Sequence, residues 1–566
     1  MKTFLQIISN RIWIIFISIL ILIIGIIHAY HYSFVNDDAF ISFRYAENFV
    51  AGNGLVYNAG ERVEGYTNFL WTLLIAVGLK LQIDPVLFSA IWGILFHLGT
   101  LILFILISIR IQRQQTSSIF FIPLTSLLLS LNRDSNVYAT SGLETSMYTF
   151  FIVAGFFFLS LYKIRRNILI AGIFALLAML TRPDGIIFLA SVLIYFIIIR
   201  ENRWKNCLIF LLPSIFIFLP YWIWRWNYFG FFFPNSFYAK SIGLTYYSQG
   251  LEYVWLYFQT YYGLIVLVVA GIVTLLRLKT FNRIMQELKI ISNNPTLLAG
   301  IFSLLYILFI IRIGGDFMHA RFLIPVTPFL YYLIERFILS VSKFYLRVVL
   351  ISAIVLTTIF RYDLYTKEIS VGYVVDEVQY YTRDHLERAK YLGFTIKKYF
   401  EVLPVRFAFS GAQARVIYYS QTPYALEALT GLTDTGLAHH KISQRGRPGH
   451  EKSASLEFLQ GKKIHFFIGP VSTLSNGGLP INAMKIDSFI IQIIRYDKSI
   501  MDSLQKYPQI QFAQIDEYID SYFLNVKDVS KETVINDYKF LHDYYFSVNK
   551  DSMREREFIR QLDNIR

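Results

Sequence analysis

Long apolar stretches alternate with short polar ones from the start of the chain to about residue 360, where the alternation stops. The apolar stretches fall at approximately 12–30, 67–83, 86–109, 118–132, 143–162, 167–181, 184–200, 206–226, 257–276, 294–312, 320–338 and 345–360. Most approach the ~20 residues that a helix needs to cross a bilayer core ~30 Å thick. Basic loops separate them at Arg110/Arg113, Lys163/Arg165/Arg166, Arg200/Arg203/Lys205, Arg277/Lys279/Arg283 and Arg336/Lys343. Short loops rich in Lys and Arg stay on the cytoplasmic side. If every stretch crosses, Arg110/Arg113 lies opposite the other basic loops. If 67–83, short and carrying Thr72, Gly78 and Lys80, enters the interface without crossing, all of them lie inside. The pattern therefore predicts about 11 transmembrane helices, with a cytoplasmic N-terminus and an external C-terminus. The stretches 118–132 and 167–181 are short for spans. The external loops are then 31–66, 133–142, 182–183, 227–256 and 313–319.

Beyond Arg361 the composition becomes mixed and charged. KEISVGYVVDEVQYYTRDHLERAKYLGFTIKKYF reads as partly helical, and VRFAFSG, VIYYS and KIHFFIG read as short strands between helices and turns. The expected division is a membrane part, 1–364, and an external α/β domain, 365–566, whose length of about 200 residues suffices for its own core. Composition agrees with the membrane class: 55% of the 566 residues are hydrophobic and 16% charged, with a mean hydropathy of +0.47. The first stretch follows Lys2 and Arg11 and precedes no small-residue cleavage site, so it reads as a retained span. The net charge of +14 resides largely in the short loops and points to membrane lipids, not to nucleic acid. A lone Cys207 excludes an intrachain disulfide and a cysteine-cluster metal site.

The external loops hold the candidate chemistry. Asp37 and Asp38 stand just past the first span, and charge so close to hydrocarbon usually marks a site. Either carboxylate can take a proton from an acceptor hydroxyl or help to hold a divalent cation such as Mg²⁺ or Mn²⁺. Arg44 follows at helical spacing, as a phosphate fork or a structural ion pair. The glycine-rich run GNGLVYNAGERVEGYTN brings Glu61, Glu64, Tyr66 and Asn68 as a wall that faces water or sugar. Glu144, at the mouth of a span, either caps the following helix or faces the same cavity as Asp37. In TRPDG, Pro183 suits a first helical turn and Arg182 adds positive potential. NYFGFFFPNSFYAK combines interfacial aromatics with Asn235, Tyr238 and Lys240, placed to meet an anionic headgroup. RIGGDFMHARF supplies Asp316, His319 and Arg321; Asp and His are too few for a metal site, and the basic groups suit a phosphate. Together these loops describe an external cavity for a lipid phosphate bearing a polar group, with acids to activate a nucleophile and cations to stabilise the leaving phosphate.

DDAFISFRYAENFVAGNGLVYNAGERVEGYTNFLW, with SGLET, RPDG, FPNSFYAK, GGDFMHARF and the late RPGHEK, resembles the terminal arabinofuranosyltransferase B family of the GT-C superfamily. The resemblance spans about residues 30–325 and resumes around 405–455. It implies a polyprenyl-phosphate pentofuranose, typically arabinofuranose, as donor, and a cell-envelope glycan as acceptor on the extracytoplasmic face of a bacterial plasma membrane. It carries the role of catalytic base to Asp37 or Asp38, and brings His450 and Glu451 of RPGHEK towards the sugar or acceptor site. One departure stands out. Related sequences often show Asp-x-x-Gly-Leu where this chain has Glu427-Ala428-Leu429-Thr430-Gly431-Leu432, which leaves the acceptor open. A lipid-linked-glycan flippase and a non-catalytic wall-glycan binder are the competing readings.

Overall fold

The structure, a computed structural model, describes residues 2–113, 121–161, 164–199, 202–277, 295–442, 444–469, 481–526 and 529–564. Lys163, Arg200, Lys279 and Arg283 of the basic loops lie outside the described residues.

Helices dominate up to Ile359. Four are long and apolar enough to cross a membrane: Ile12–His31, Pro85–Gln112, Arg203–Phe229 and Pro295–Ile313. Two bent pairs, Arg133–Thr140 with Thr145–Ser160 at 115° and Tyr247–Thr260 with the following helix at 100°, are each a broken span or a re-entrant loop, and make six if each pair is one span. Polar punctuation shortens the apolar stretches. Asn132 ends the helix Leu124–Leu131 and caps the next, Arg133–Thr140, its side chain accepting from the Ser135 N–H at 2.8 Å. Arg182 and Pro183 divide Arg165–Thr181 from Ile186–Ile199, because Pro183 has no N–H to continue the ladder. Phe69–Lys80 has 12 residues. At 1.5 Å per residue that is about 18 Å, well short of a bilayer core.

The distal part is built on a mixed sheet. After a small hairpin, β1 (Ser370–Val371) with β2 (Val374–Val375), come β3 (Arg406–Phe409), β4 (Tyr424–Glu427), β5 (Phe466–Ile468), β6 (Ala483–Ile486), β7 (Phe489–Ile493) and β8 (Ile510–Phe512). Their spatial order is β4-β3-β5-β7-β6-β8. β3 is parallel to β4 and β5, and the helix Ala414–Ser420 makes the crossover from β3 to β4. The remaining pairs are antiparallel. Alternating apolar positions bury β3 through Phe407 and Phe409 on one face and Ala408 on the other.

The two parts are stitched together by buried polar groups, which is how loops distant in sequence meet. Met318 bridges to Val375, and the Val375 N–H donates to the Phe317 carbonyl at 2.8 Å. Arg133 grips Asp376 with two bonds of 2.8 and 3.0 Å from one nitrogen. The Asn58 amide exchanges bonds with the backbone of Ala425.

Candidate active site

The site begins where the first long helix ends. Asn36 caps the helix Asp37–Val50, its side-chain oxygen accepting from the Asp38 N–H at 2.8 Å. Asp37 and Asp38 occupy the first helical turn, where negative charge is favoured. Their side chains then part company. Asp37 is 4% exposed and accepts from the backbone N–H groups of Ala414 and Arg415 at 2.9 and 3.0 Å, and from Arg415 Nε at 3.2 Å. It thereby caps the crossover helix Ala414–Ser420 from across the molecule. Burial pushes its carboxyl up to about 6, against the pull of Arg415 and the two amides, so it is charged at neutral pH. Asp38 keeps a side chain 32% exposed, with Arg321 the nearest cation at 3.9 Å.

Arg321 is placed by the loop after Pro295–Ile313. Gly314 and Gly315 adopt φ of +94° and +72°, a region that side chains disfavour, and a Cβ on Gly315 would meet the Tyr253 ring at 2.4 Å. The turn delivers Asp316 and Arg321 together, 3.4 Å apart. Arg321 also lies 3.6 Å from Glu144. Burial opposes its charge, but Asp316 and Glu144 more than compensate and hold its pKa above the usual value. Its Nε is buried without a hydrogen-bond partner among the described residues. Glu144 stands at the helix N-cap position without capping through its side chain; instead it accepts from Asn68 at 2.9 Å and Arg182 at 3.0 Å. Arg182 also pairs with Asp184 at 3.0 Å, so it orders the acids behind Arg321.

The opposite wall comes from the distal part. The stem of Lys240 packs on Gly449, 3.7–3.9 Å from where a Cβ would sit. The His450 ring meets Phe317 edge-on, centroids 4.5 Å apart, while the Arg447 guanidinium lies 4.7 Å over that same ring. Burial and the charge of Arg447 lower His450 to about 4, so it is neutral at pH 7. Arg447 Nε is buried and unpartnered among the described residues. Glu377, 5% exposed, accepts from Asn36 Nδ2 at 2.8 Å. Burial and the Asp38 charge push it up to about 8, with Arg447 pulling the other way. Arg321 thus lies near both Asp38 and Asp316, the charges of Asp38, Asp316 and Arg447 reach Glu377, and those of Arg447, Asp38 and Lys240 reach His450.

Several residues named from the sequence stand elsewhere. Arg44 is taken up elsewhere: it donates to the carbonyls of Tyr57 at 2.9 Å and Thr422 at 2.8 Å and lies over the Tyr57 ring. Its fork staples the loop to the distal part. His319 lies behind the site, its Nδ1 2.9 Å from the Tyr365 hydroxyl and its Nε2 3.6 Å from Asp134. Glu64 is clamped by Arg225 at 2.7 Å and rises to about 7 through burial, Arg225 opposing. Glu61 takes a 3.4 Å bond from Asn58. Tyr66 is buried against Tyr45 and Phe229. Asn235 donates to the carbonyls of Gly431 and Leu432 at 2.9 and 3.0 Å, Tyr238 stacks on His439 with centroids 4.2 Å apart, and Glu451 pairs with Arg445. These three build the wall that carries Arg447 and His450.

Glu427 explains the departure in its loop. Its carboxyl gathers the N–H groups of Leu429, Thr430 and Gly431 at 2.8–2.9 Å and the Thr430 hydroxyl. It shapes the loop from within. Among the described residues no group of three or more His, Cys, Asp or Glu side chains stands together to hold the Mg²⁺ or Mn²⁺ weighed above. Glu377, Arg447, Arg415 and Asn36 were missed as site residues. Arg447 had a signal, since it opens the RPGHEK motif; Glu377 sat in a charged run with nothing to mark it.

Apolar helices long enough to cross a membrane, with a partly exposed carboxylate and a buried arginine at their ends, define the class: a polytopic helical membrane protein. Comparison with known proteins narrows the class. No protein-family model matches the chain. It is similar to a terminal β-(1→2)-arabinofuranosyltransferase of Corynebacterium glutamicum, 29% identical over 51% of this chain and 46% of that protein. It is also similar to the enzyme of the same name from Mycobacterium tuberculosis, 28% identical over 51% of this chain and 50% of that protein. The chain thus spans about half the length of these curated relatives, and the resemblance read from the motifs is to this group. Among solved structures, ArnT from Cupriavidus metallidurans bound to undecaprenyl phosphate aligns with a TM-score of 0.47 and 11% identity, covering 74% of this chain and 87% of that one.

Proposed function

We propose that the protein is a GT-C glycosyltransferase that moves a sugar, arabinofuranose or another pentofuranose, from a polyprenyl-phosphate donor to a cell-envelope glycan. In this reading residues 1–364 form the membrane part. Residues 365–566 form an extracytoplasmic part that closes the site and holds the acceptor, at the plasma membrane of a bacterium. The names of the two relatives support the sugar and the class of reaction. The observation that carries the reading is the unequal fate of the acid pair: Asp37 is consumed by Arg415 and a helix N-terminus, whereas Asp38 keeps a partly exposed side chain 3.9 Å from Arg321.

Asp38 takes the proton of the acceptor hydroxyl as its oxygen attacks the anomeric carbon. The bond from that carbon to the phosphate oxygen breaks, and polyprenyl phosphate leaves with the electron pair. Arg321 is surrounded by carboxylates, so the growing charge on phosphate is met chiefly by Arg447 and Lys240, with Arg321 as orienter. The purified protein in lipid nanodiscs, given a polyprenyl-phosphate arabinofuranose and an arabinan oligosaccharide, should lengthen the oligosaccharide by one sugar. Movement of the lipid between leaflets without any transfer would replace this reading by that of a flippase.

A further inference from the structure

We propose that Glu377 is a second carboxyl group of the reaction site, acting in its protonated form as hydrogen-bond donor to a substrate hydroxyl beside Asp38. The proposal rests on the reading of Asp38 as base. Asn36 carries the geometry. Its side-chain oxygen is committed to the Asp38 N–H, so its amide nitrogen must face Glu377, 2.8 Å from Oε2. One side chain thereby fixes the backbone of the base and the carboxyl of Glu377. With Oε2 accepting as a carbonyl, Oε1 carries the proton and can donate it.

Glu377 is not a stray surface acid. Its neighbour Asp376 is gripped twice by Arg133, and Val375 is hydrogen-bonded to Phe317 at 2.8 Å and to His319 at 2.9 Å. The short helix Glu377–Tyr380 is therefore fastened to the loop that presents Asp316 and Arg321. The charges that reach Glu377 come from three other elements: Asp38 at the start of its helix, Asp316 in the loop after Pro295–Ile313, and Arg447 in the RPGHEK loop. Tyr381 lies on its own segment. Burial and two acids outweigh Arg447 and the Asn36 bond, which both favour the charged form, and leave the neutral form favoured. That form avoids a second negative charge next to the base and supplies the donor which Asp38, once ionised, lacks. A hydroxyl held between Glu377 and Asp38 gives up its proton to Asp38 while remaining oriented by Glu377. Ionisation of Glu377 would remove the donor and repel the base, so transfer should fall on the alkaline side.

The test is kcat/KM for sugar transfer by the full chain in nanodiscs, from about pH 5 to about pH 10, for wild type, Glu377→Gln and Glu377→Ala. Wild type should fall on the alkaline side with a midpoint near about 8. Glu377→Gln keeps an N–H donor that cannot ionise: its rate should drop several-fold and the alkaline fall should vanish. Glu377→Ala should lose ~100-fold. An alkaline limb unchanged in Glu377→Gln, or a wild-type rate in Glu377→Ala, would overturn the proposal. Protonation is also readable without turnover. The infrared difference between wild type and Glu377→Gln at neutral pH should contain a protonated-carboxyl C=O band, and its absence would overturn the proposal as well. If the band is present while Asp38→Asn transfers sugar normally, the assignment of the base fails and the protonated Glu377 stands.

Discussion

Replacing Asp37 by Ala should unfasten the distal part from the membrane part, and the cost follows from its bonds. The substitution removes the acceptor of two backbone N–H groups at 2.9 and 3.0 Å and strands Arg415, a fully buried cation. Breaking a buried pair from one side costs about 3–5 kcal/mol. Arg415 retains its bond to the Val35 carbonyl at 3.0 Å, so the lower end is the safer figure. For a cooperative unit of about 200 residues, each kcal/mol moves the thermal midpoint by roughly 2–4 °C, so a loss of about 3 kcal/mol should lower the transition by about 6–12 °C. Asp38→Asn is the matched control. Its side chain is partly exposed and its one near cation lies 3.9 Å away, a contact worth about 0–1 kcal/mol. Thermal unfolding of the detergent-solubilised protein, followed by tryptophan fluorescence, reads both. An Asp37→Ala midpoint within 2 °C of wild type, or an Asp38→Asn midpoint as low as that of Asp37→Ala, would refute the division of labour between the two acids.

Arg447→Ala should raise KM for the lipid-phosphate donor by ~10–100-fold, the worth of one charge-assisted contact, in steady-state transfer assays. Lys240→Ala should act in the same direction, and a donor KM unchanged in both would move the phosphate elsewhere. Gly65→Ala would place a Cβ 2.5 Å from the Leu432 carbonyl oxygen and 3.0 Å from the Tyr45 hydroxyl. It should cost about 1–3 kcal/mol by forcing the loop apart, visible as a lower unfolding midpoint.

The alternation of apolar and polar stretches conveyed the membrane class. Hydropathy alone does not register that Asn132 caps a new helix, Arg133–Thr140, directly after Leu124–Leu131. Of the residues named from the sequence, Arg321 lies 3.9 Å from Asp38 and 3.4 Å from Asp316, and Lys240 packs on Gly449. Legibility ended with the partners. Nothing near Asp37 in sequence reveals that its acceptor capacity is taken by residues 414 and 415, more than 370 positions away. Arg44 looked like a phosphate fork because the carbonyls of Tyr57 and Thr422 that occupy it leave no side-chain signature. Glu377 gained its place only when the β1–β2 hairpin packed against Met318.

The most direct test of the central claim is single-turnover sugar transfer by Asp38→Asn, with donor binding measured on the same preparation. General-base loss should slow transfer by about 10²–10⁴-fold while the polyprenyl-phosphate donor binds as before and the fold keeps its thermal midpoint. Transfer within about threefold of wild type would contradict the assignment of Asp38 as the base.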